Sequence, residues 1–117
     1  MKDFKKLQIW QKGIAIVKLC YKISEQLPTT ERFNLISQIN RAAVSIPSNI
    51  AEGSSRRSER DYFRFLEIAL GSCFELETQL IILDELGLAS SEKINELLAE
   101  IRQEQQMISS FSQKLQL

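Results

Sequence analysis

The 117-residue chain sets 15 Lys and Arg against 15 Asp and Glu and has no histidine, which excludes Ser-His-Asp and Cys-His catalysis, mixed zinc sites and the Glu-x-x-His motif of di-iron bundles. Its length fits one domain, residues 1–117, around one core, and its four Gly and two Pro are too few for the turns of a many-stranded sheet. No signal-peptide core follows the charged start, and no apolar run approaches the roughly 20 residues that cross a membrane, so the chain reads as cytoplasmic with no membrane partner.

Apolar spacing predicts four helices. The first runs from about Phe4 to Gln26 and stops before Pro28, because a residue ahead of proline avoids helical geometry. It carries two apolar stripes. Leu7, Trp10, Ile14, Val17 and Tyr21 form one; Ile9, Ile16, Cys20, Ile23 and Leu27 form the other, roughly 130–140° away. One stripe suffices for an intramolecular core, so the second calls for another surface. Thr29 or Thr30 is placed to cap the second helix, which runs to about Gly53 with a kink or break expected at Pro47. Ser58 caps the third, with Asp61 three residues on, and Gly87 is a natural left-handed stop after Leu86. Ser90 or Ser91 opens the fourth, whose stripe is Ile94, Leu97, Leu98, Ile101, Ile108, Phe111 and Leu115. Short linkers join these helices, giving an all-α, antiparallel up-and-down four-helix bundle.

The third helix is broadly apolar. Leu66, Ala69, Cys73, Leu76, Leu80 and Leu83 make its main stripe, flanked by Phe63, Leu70, Phe74 and Ile81. Such surface is costly to leave wet, at about 25 cal/mol per Å². Self-association is therefore expected, with Ile9, Ile16 and Ile23 of the first helix and Phe63, Phe74 and Ile81 of the third as candidate interface residues. Ala42, Ala43, Ala69, Gly71 and Ser72 would let the second and third helices approach closely. Gly71 costs roughly 1 kcal/mol relative to Ala within a helix, and backbone crowding would explain it.

Little in the chain suggests chemistry. There is no Gly-rich phosphate loop or dinucleotide fingerprint, so no cofactor, no metal and no small-molecule substrate is expected, and the chain reads as a non-enzyme. Cys20 and Cys73 stand alone and read as buried free thiols. Glu77 falls at the helical angle of Leu66, Leu70 and Cys73. Arg41 is its candidate partner in a buried ion pair, and a partly exposed Glu at a bundle seam is the alternative. The main charge feature is Arg56, Arg57, Arg60 and Arg64, three of them at four-residue steps beside a helix N-terminus where the macrodipole disfavours them. They form either an anion site for RNA or DNA phosphate or a solvated face laced with salt bridges. Residues 1–64 hold 12 Lys and Arg against 6 Asp and Glu, and residues 65–117 hold 3 against 9, so basic character concentrates in the half that carries this cluster.

Phe4-x-x-Leu7-x-x-Trp10-Gln11, the run Gln38-Ile39-x-Arg41-Ala42-Ala43-x-Ser45-Ile46-Pro47-x-Asn49-Ile50-Ala51-Glu52-Gly53, and Phe65-Leu66-x-Ile68-Ala69-x-Gly71-Ser72-x-x-Glu75-x-Glu77 together carry a resemblance across nearly the whole chain. It resembles the bacterial four-helix-bundle family encoded in intervening sequences of 23S ribosomal RNA genes, related to accessory proteins of diversity-generating retroelements. The resemblance implies an up-and-down bundle assembled as a ring-like homopentamer. In the retroelement branch a basic pentamer binds a reverse transcriptase and nucleic acid, whereas this chain has no net charge. The functions it leaves open are RNA or ribonucleoprotein binding through a basic patch, and a structural or protein-interaction scaffold.

Overall fold

Leu7 has extended backbone (φ −76°, ψ 130°), and it divides the first expected helix into a 3-10 turn at Phe4–Lys6 and helix α1 at Gln8–Glu25. The computed structural model describes residues 3–117, Arg32 by its backbone alone. Asp3 caps the short turn by accepting from the Lys5 amide at 3.1 Å, and the Phe4 ring meets Trp10 edge-on at 5.3 Å, which ties the chain start to α1. The second helix departs further from expectation. Thr29–Glu31 form a 3-10 turn and Arg32–Ile36 a π-helical turn, and α2 then runs Ser37–Ser54 with no side-chain cap. It grows directly out of a wider helical turn, so its first amides need no Thr hydroxyl.

Helix α3 spans Glu59–Glu85 and α4 spans Ser91–Gln113. Ser58 accepts from the Asp61 amide at 3.1 Å, Ser90 from the Lys93 amide at 3.4 Å, and Gly87 takes a φ of 68° where a side chain would be strained. These two caps and one stop match the expected ones. α2 continues through Pro47 without a break. The ring is buried against Gly13 of α1, whose missing side chain leaves the space it fills: a Cβ there would lie 3.3 Å from the Pro47 Cβ.

Contacts between neighbouring helices run in opposite order. Between α1 and α2, Ser24 bonds Asn40 while Gly13 faces Pro47. Between α2 and α3, Gly53 lies against Tyr62 and Phe65 while Ser45 bonds Ser72. Between α3 and α4, Tyr62 stacks edge-on with Phe111 while Asp84 accepts from Ser91. Lys12 pairs with Glu100 across α1 and α4. The four helices thus form an antiparallel up-and-down bundle.

Its core corrects the assignment of the α1 stripes. Ile9, Ile16, Cys20, Ile23 and Leu27 are the buried set, with Ile16 at 0% exposure. Leu7, Trp10, Ile14 and Val17 are half-buried and Tyr21 is exposed. Ile9, Ile16 and Ile23 therefore belong to the intramolecular core and have no surface to offer a second subunit. Both stripes are apolar, and only the positions of α2 and α4 decide which one turns inward. Gly71 also departs from expectation, since nothing lies within 4 Å of where its Cβ would be.

Candidate nucleic-acid interface

The α2–α3 corner gathers the arginines at one end of the bundle. α2 ends at Ser54 and α3 begins at Glu59, so Arg56 and Arg57 sit on the connection while Arg60 and Arg64 lie one turn apart on the first two turns of α3. All four are exposed. Arg56 is held: its Nη2 lies 2.9 Å from Glu52 Oε2 and its guanidinium stacks 4.6 Å from the Phe65 ring centroid. Among the described residues, Arg57, Arg60 and Arg64 make no ion pair. Antiparallel packing adds Lys5 and Lys6 from the chain start and Lys114 from the end of α4 to the same end. The opposite end carries Asp84, Glu85, Glu92 and Glu96 together with Lys22 and Lys93. Glu52, Glu59 and Asp61 share the arginine end, and because each half of the sequence runs the full length of the bundle, the imbalance between the halves is not itself a polarity between its two ends.

The α3 flank is mixed. Phe63 and Leu70 are half-buried, while Phe74 and Ile81 are 54% and 39% exposed. Ile68 and Ile82 extend this apolar surface around the helix.

The expected Arg41–Glu77 pair does not form. Arg41 is exposed, and Glu77 turns towards α4 instead, where its Oε1 accepts from Gln105 Nε2 at 2.7 Å and its Oε2 from Arg102 Nε at 3.0 Å. The Gln105 amide, helped by the Arg102 guanidinium, holds the Glu77 carboxyl below its usual range against partial burial. The angle of Glu77 on α3 was legible, but its partner depends on which neighbour that angle faces. Cys20 and Cys73 are free and buried, and burial pushes both thiols up to about 12, so neither is a reactive thiolate.

One buried group escapes the sequence reading. Glu104 of α4 has 0% exposure, and neither carboxyl oxygen has a hydrogen-bond partner among the described residues. Its signal was a gap: the α4 stripe steps from Ile101 to Ile108, and Glu104 occupies the helical position between them. Beside it, an open groove follows the α1–α4 seam. One part of about 550 Å³ is lined by Leu19, Lys22, Ile23, Lys93 and Leu97 among others, and another of about 480 Å³ by Gln8, Gln11, Ala15 and Gln103 among others. No group of three or more His, Cys, Asp or Glu among the described residues could hold a metal ion. No helix among them is long and apolar enough to cross a membrane.

No curated protein matches the chain. Among solved structures, it is similar to a protein with unknown function from the S23 ribosomal protein family of Bacteroides thetaiotaomicron VPI-5482, with a TM-score of 0.84 at 21% identity over 91% of this chain and 99% of that one. At that identity the likeness speaks for the bundle alone. The model of the 23S rRNA-intervening sequence protein family matches residues 5–110, and with nearly the whole bundle covered, the chain belongs to that family.

Proposed function

We propose that this chain is a non-enzymatic RNA-binding module that works as a homo-oligomer and holds phosphates at its basic end. The observation that carries this reading is that Arg57, Arg60 and Arg64 are exposed and have no carboxylate partner among the described residues. Arginines laced into a salt-bridged face would be paired, and only Arg56 is. Unpaired guanidinium groups beside a helix N-terminus repel one another and the dipole, and an incoming phosphate relieves both. Binding of this kind follows backbone charge rather than base sequence. A structured RNA should bind with affinity that falls steeply with salt, by roughly 0.7 to 0.9 in logarithmic slope for each phosphate contact. The double variant Arg60→Gln, Arg64→Gln should weaken binding across unrelated RNAs and lower that slope while leaving the helical signal intact. Unchanged affinity in the variant would defeat the site. No salt-sensitive binding of any RNA or DNA by the wild type would defeat the function and leave the scaffold reading, contact with a partner such as a reverse transcriptase included.

Self-association rests on α3. Phe74, Ile68, Ile81 and Ile82 are exposed on a single helix, and covering such surface is favourable at about 25 cal/mol per Å². The family resemblance points to a pentamer. Native mass measurement at micromolar concentration should give that assembly, and Phe74→Glu should dissociate it without unfolding the subunit. A wild-type monomer would end this part of the reading, and a different stoichiometry would end only the pentamer. Ile16→Glu, by contrast, should unfold the subunit itself, because it puts a charge in the core.

A further inference from the structure

Glu104 occupies a position where a stripe residue would ordinarily be leucine or isoleucine. Its Oε2 would lie only 3.4 Å from a Cβ on Gly13, and the same absent Cβ would meet Pro47. The carboxyl group thus reaches across from α4 into the notch where α1 and α2 touch. A charged carboxylate there would have no hydrogen-bond donor among the described residues, since both oxygens are buried and unpartnered, and the Lys12 charge is the one favourable influence on it. A neutral carboxylic acid tolerates the site far better. The open α1–α4 groove is lined by sequence neighbours of Gly13 and Glu104, Lys12 on α1 and Glu100, Gln103 and Met107 on α4, and is bridged among the described residues by one ion pair, Lys12 with Glu100.

We propose that Glu104 is a proton-operated latch beneath the α1–α4 seam, closed while the carboxyl holds its proton and loosened when the proton leaves. Ionisation places a charge without a hydrogen-bond donor in the notch, and the groove along α1 and α4 offers water a route towards it. Separation of α4 from α1 admits that water while leaving the close α2–α3 packing in place.

The other groups around it do not obscure this titration. α1 presents Lys12, whose charge partly favours the ionised form. α2 presents Pro47, which does not titrate. α3 presents Cys73, whose thiol stays neutral because burial, then the charges of Glu104 and Glu77, push it up to about 12. Glu77 itself is held below the usual carboxylate range by Gln105 and then Arg102, so it is ionised throughout. Glu100, on α4 one turn before Glu104, is paired with Lys12. Burial raises the Glu104 carboxyl from 4.5 to about 8. Between those values the folded chain binds the proton and the unfolded chain does not, so folding is strongest below about 4.5 and weakens as pH rises to about 8.

The test uses the full wild-type chain and Glu104→Gln. Carboxyl carbon-13 NMR, with Glu104 assigned by its loss in the variant, should show a midpoint near 8, far above the ordinary carboxylate range. The wild-type folding constant should fall on the order of a thousandfold between pH 5 and pH 8.5, and the Gln variant should lose most of that dependence. Amide exchange, corrected for intrinsic rates, should show protection lost at pH 8.5 in residues 8–19 and 97–111 before residues 37–85, in the wild type only. A midpoint in the ordinary carboxylate range, or equal pH dependence in both proteins, would overturn the latch. Uniform loss of protection across all four helices would overturn its placement at the seam. If Glu104→Gln does not fold, Glu104→Met supplies the comparison, and the wild-type exchange pattern at pH 5 and pH 8.5 decides whether the seam opens.

Discussion

Helices α2 and α3 meet through small residues, whereas α1 and α4 meet through long ones, and the two seams settle their polar groups differently. On the α2–α3 side Ala42, Ala43, Ala69 and Ser72 are buried, and Gly53 lies against Tyr62 and Phe65 so closely that a Cβ would come within 2.7 Å of the Phe65 Cβ. The polar atoms at this seam find one another: Ser45 and Ser72 share a hydrogen bond of 2.8 Å, and Asn49 donates to the Ser45 carbonyl at 2.8 Å and hydroxyl at 2.9 Å. On the α1–α4 side Gln8, Gln11, Gln103 and Met107 line a groove, and the acid beneath it has no partner among the described residues. Short side chains bring backbones close enough for hydroxyls to bond across them. Long flexible ones hold the helices apart and leave room that water or a ligand can enter. The same bundle is thus tight along one edge and grooved along the opposite one.

The most severe way to break this contrast is to overfill the tight seam. Gly53→Val places a branched side chain where even a single Cβ collides with Phe65, and the loss in stability should be about 3 kcal/mol. The matching change at the other seam is Ala15→Leu. Ala15 is exposed and lines the 480 Å³ groove, so the larger side chain should be accepted within about 0.5 kcal/mol. Urea unfolding of both variants at pH 6, where the latch is mostly closed, reads the difference directly. Equal losses at the two sites would mean that the seams do not differ in packing.

The contrast also separates what could be read from the chain from what could not. The starts of α3 and α4 and the end of α3 were legible because Ser58, Ser90 and Gly87 act locally, each through its own backbone or the next turn, whereas the break at Leu7 and the uncapped start of α2 were not. The small residues of α2 and α3 announced a close seam for the same reason: size alone sets how near two backbones can come. The inward face of α1 was not legible, since Ile16 and Ile14 are equally apolar and their burial depends on where other helices lie. Glu77 shows the same limit, with its angle predictable and its partners, Arg102 and Gln105, supplied by a helix 25 or more residues away. At the basic corner the cluster itself was visible, but the pairing of Arg56 and the freedom of its neighbours depended on Glu52 and Phe65 being within reach.

Gly71 supplies the smallest expected effect and the sharpest use of the contrast, because a glycine within α3 is explained on the tight seam and unexplained on the exposed side. Gly53 is small because Phe65 is there. Gly71 is exposed and has nothing within 4 Å of its absent Cβ, so within the subunit it only gives away helix stability, roughly 1 kcal/mol relative to alanine. It sits amid Ile68, Phe74 and Ile82, all exposed on the same helix. If the subunit were the whole functional unit, Gly71→Ala should raise stability by up to about 1 kcal/mol and change nothing else. If a second subunit packs its backbone against this face, the added methyl group should stabilise the isolated subunit by that same amount and weaken the assembly. The expected outcome is the second. Urea unfolding of a dissociated Phe74→Glu background should show the gain, and native mass of Gly71→Ala in the wild-type background should show dissociation at higher protein concentration. A stabilised variant with an unaltered assembly would place the contact elsewhere on the bundle, because a close helix approach at Gly71 cannot ignore a new side chain there.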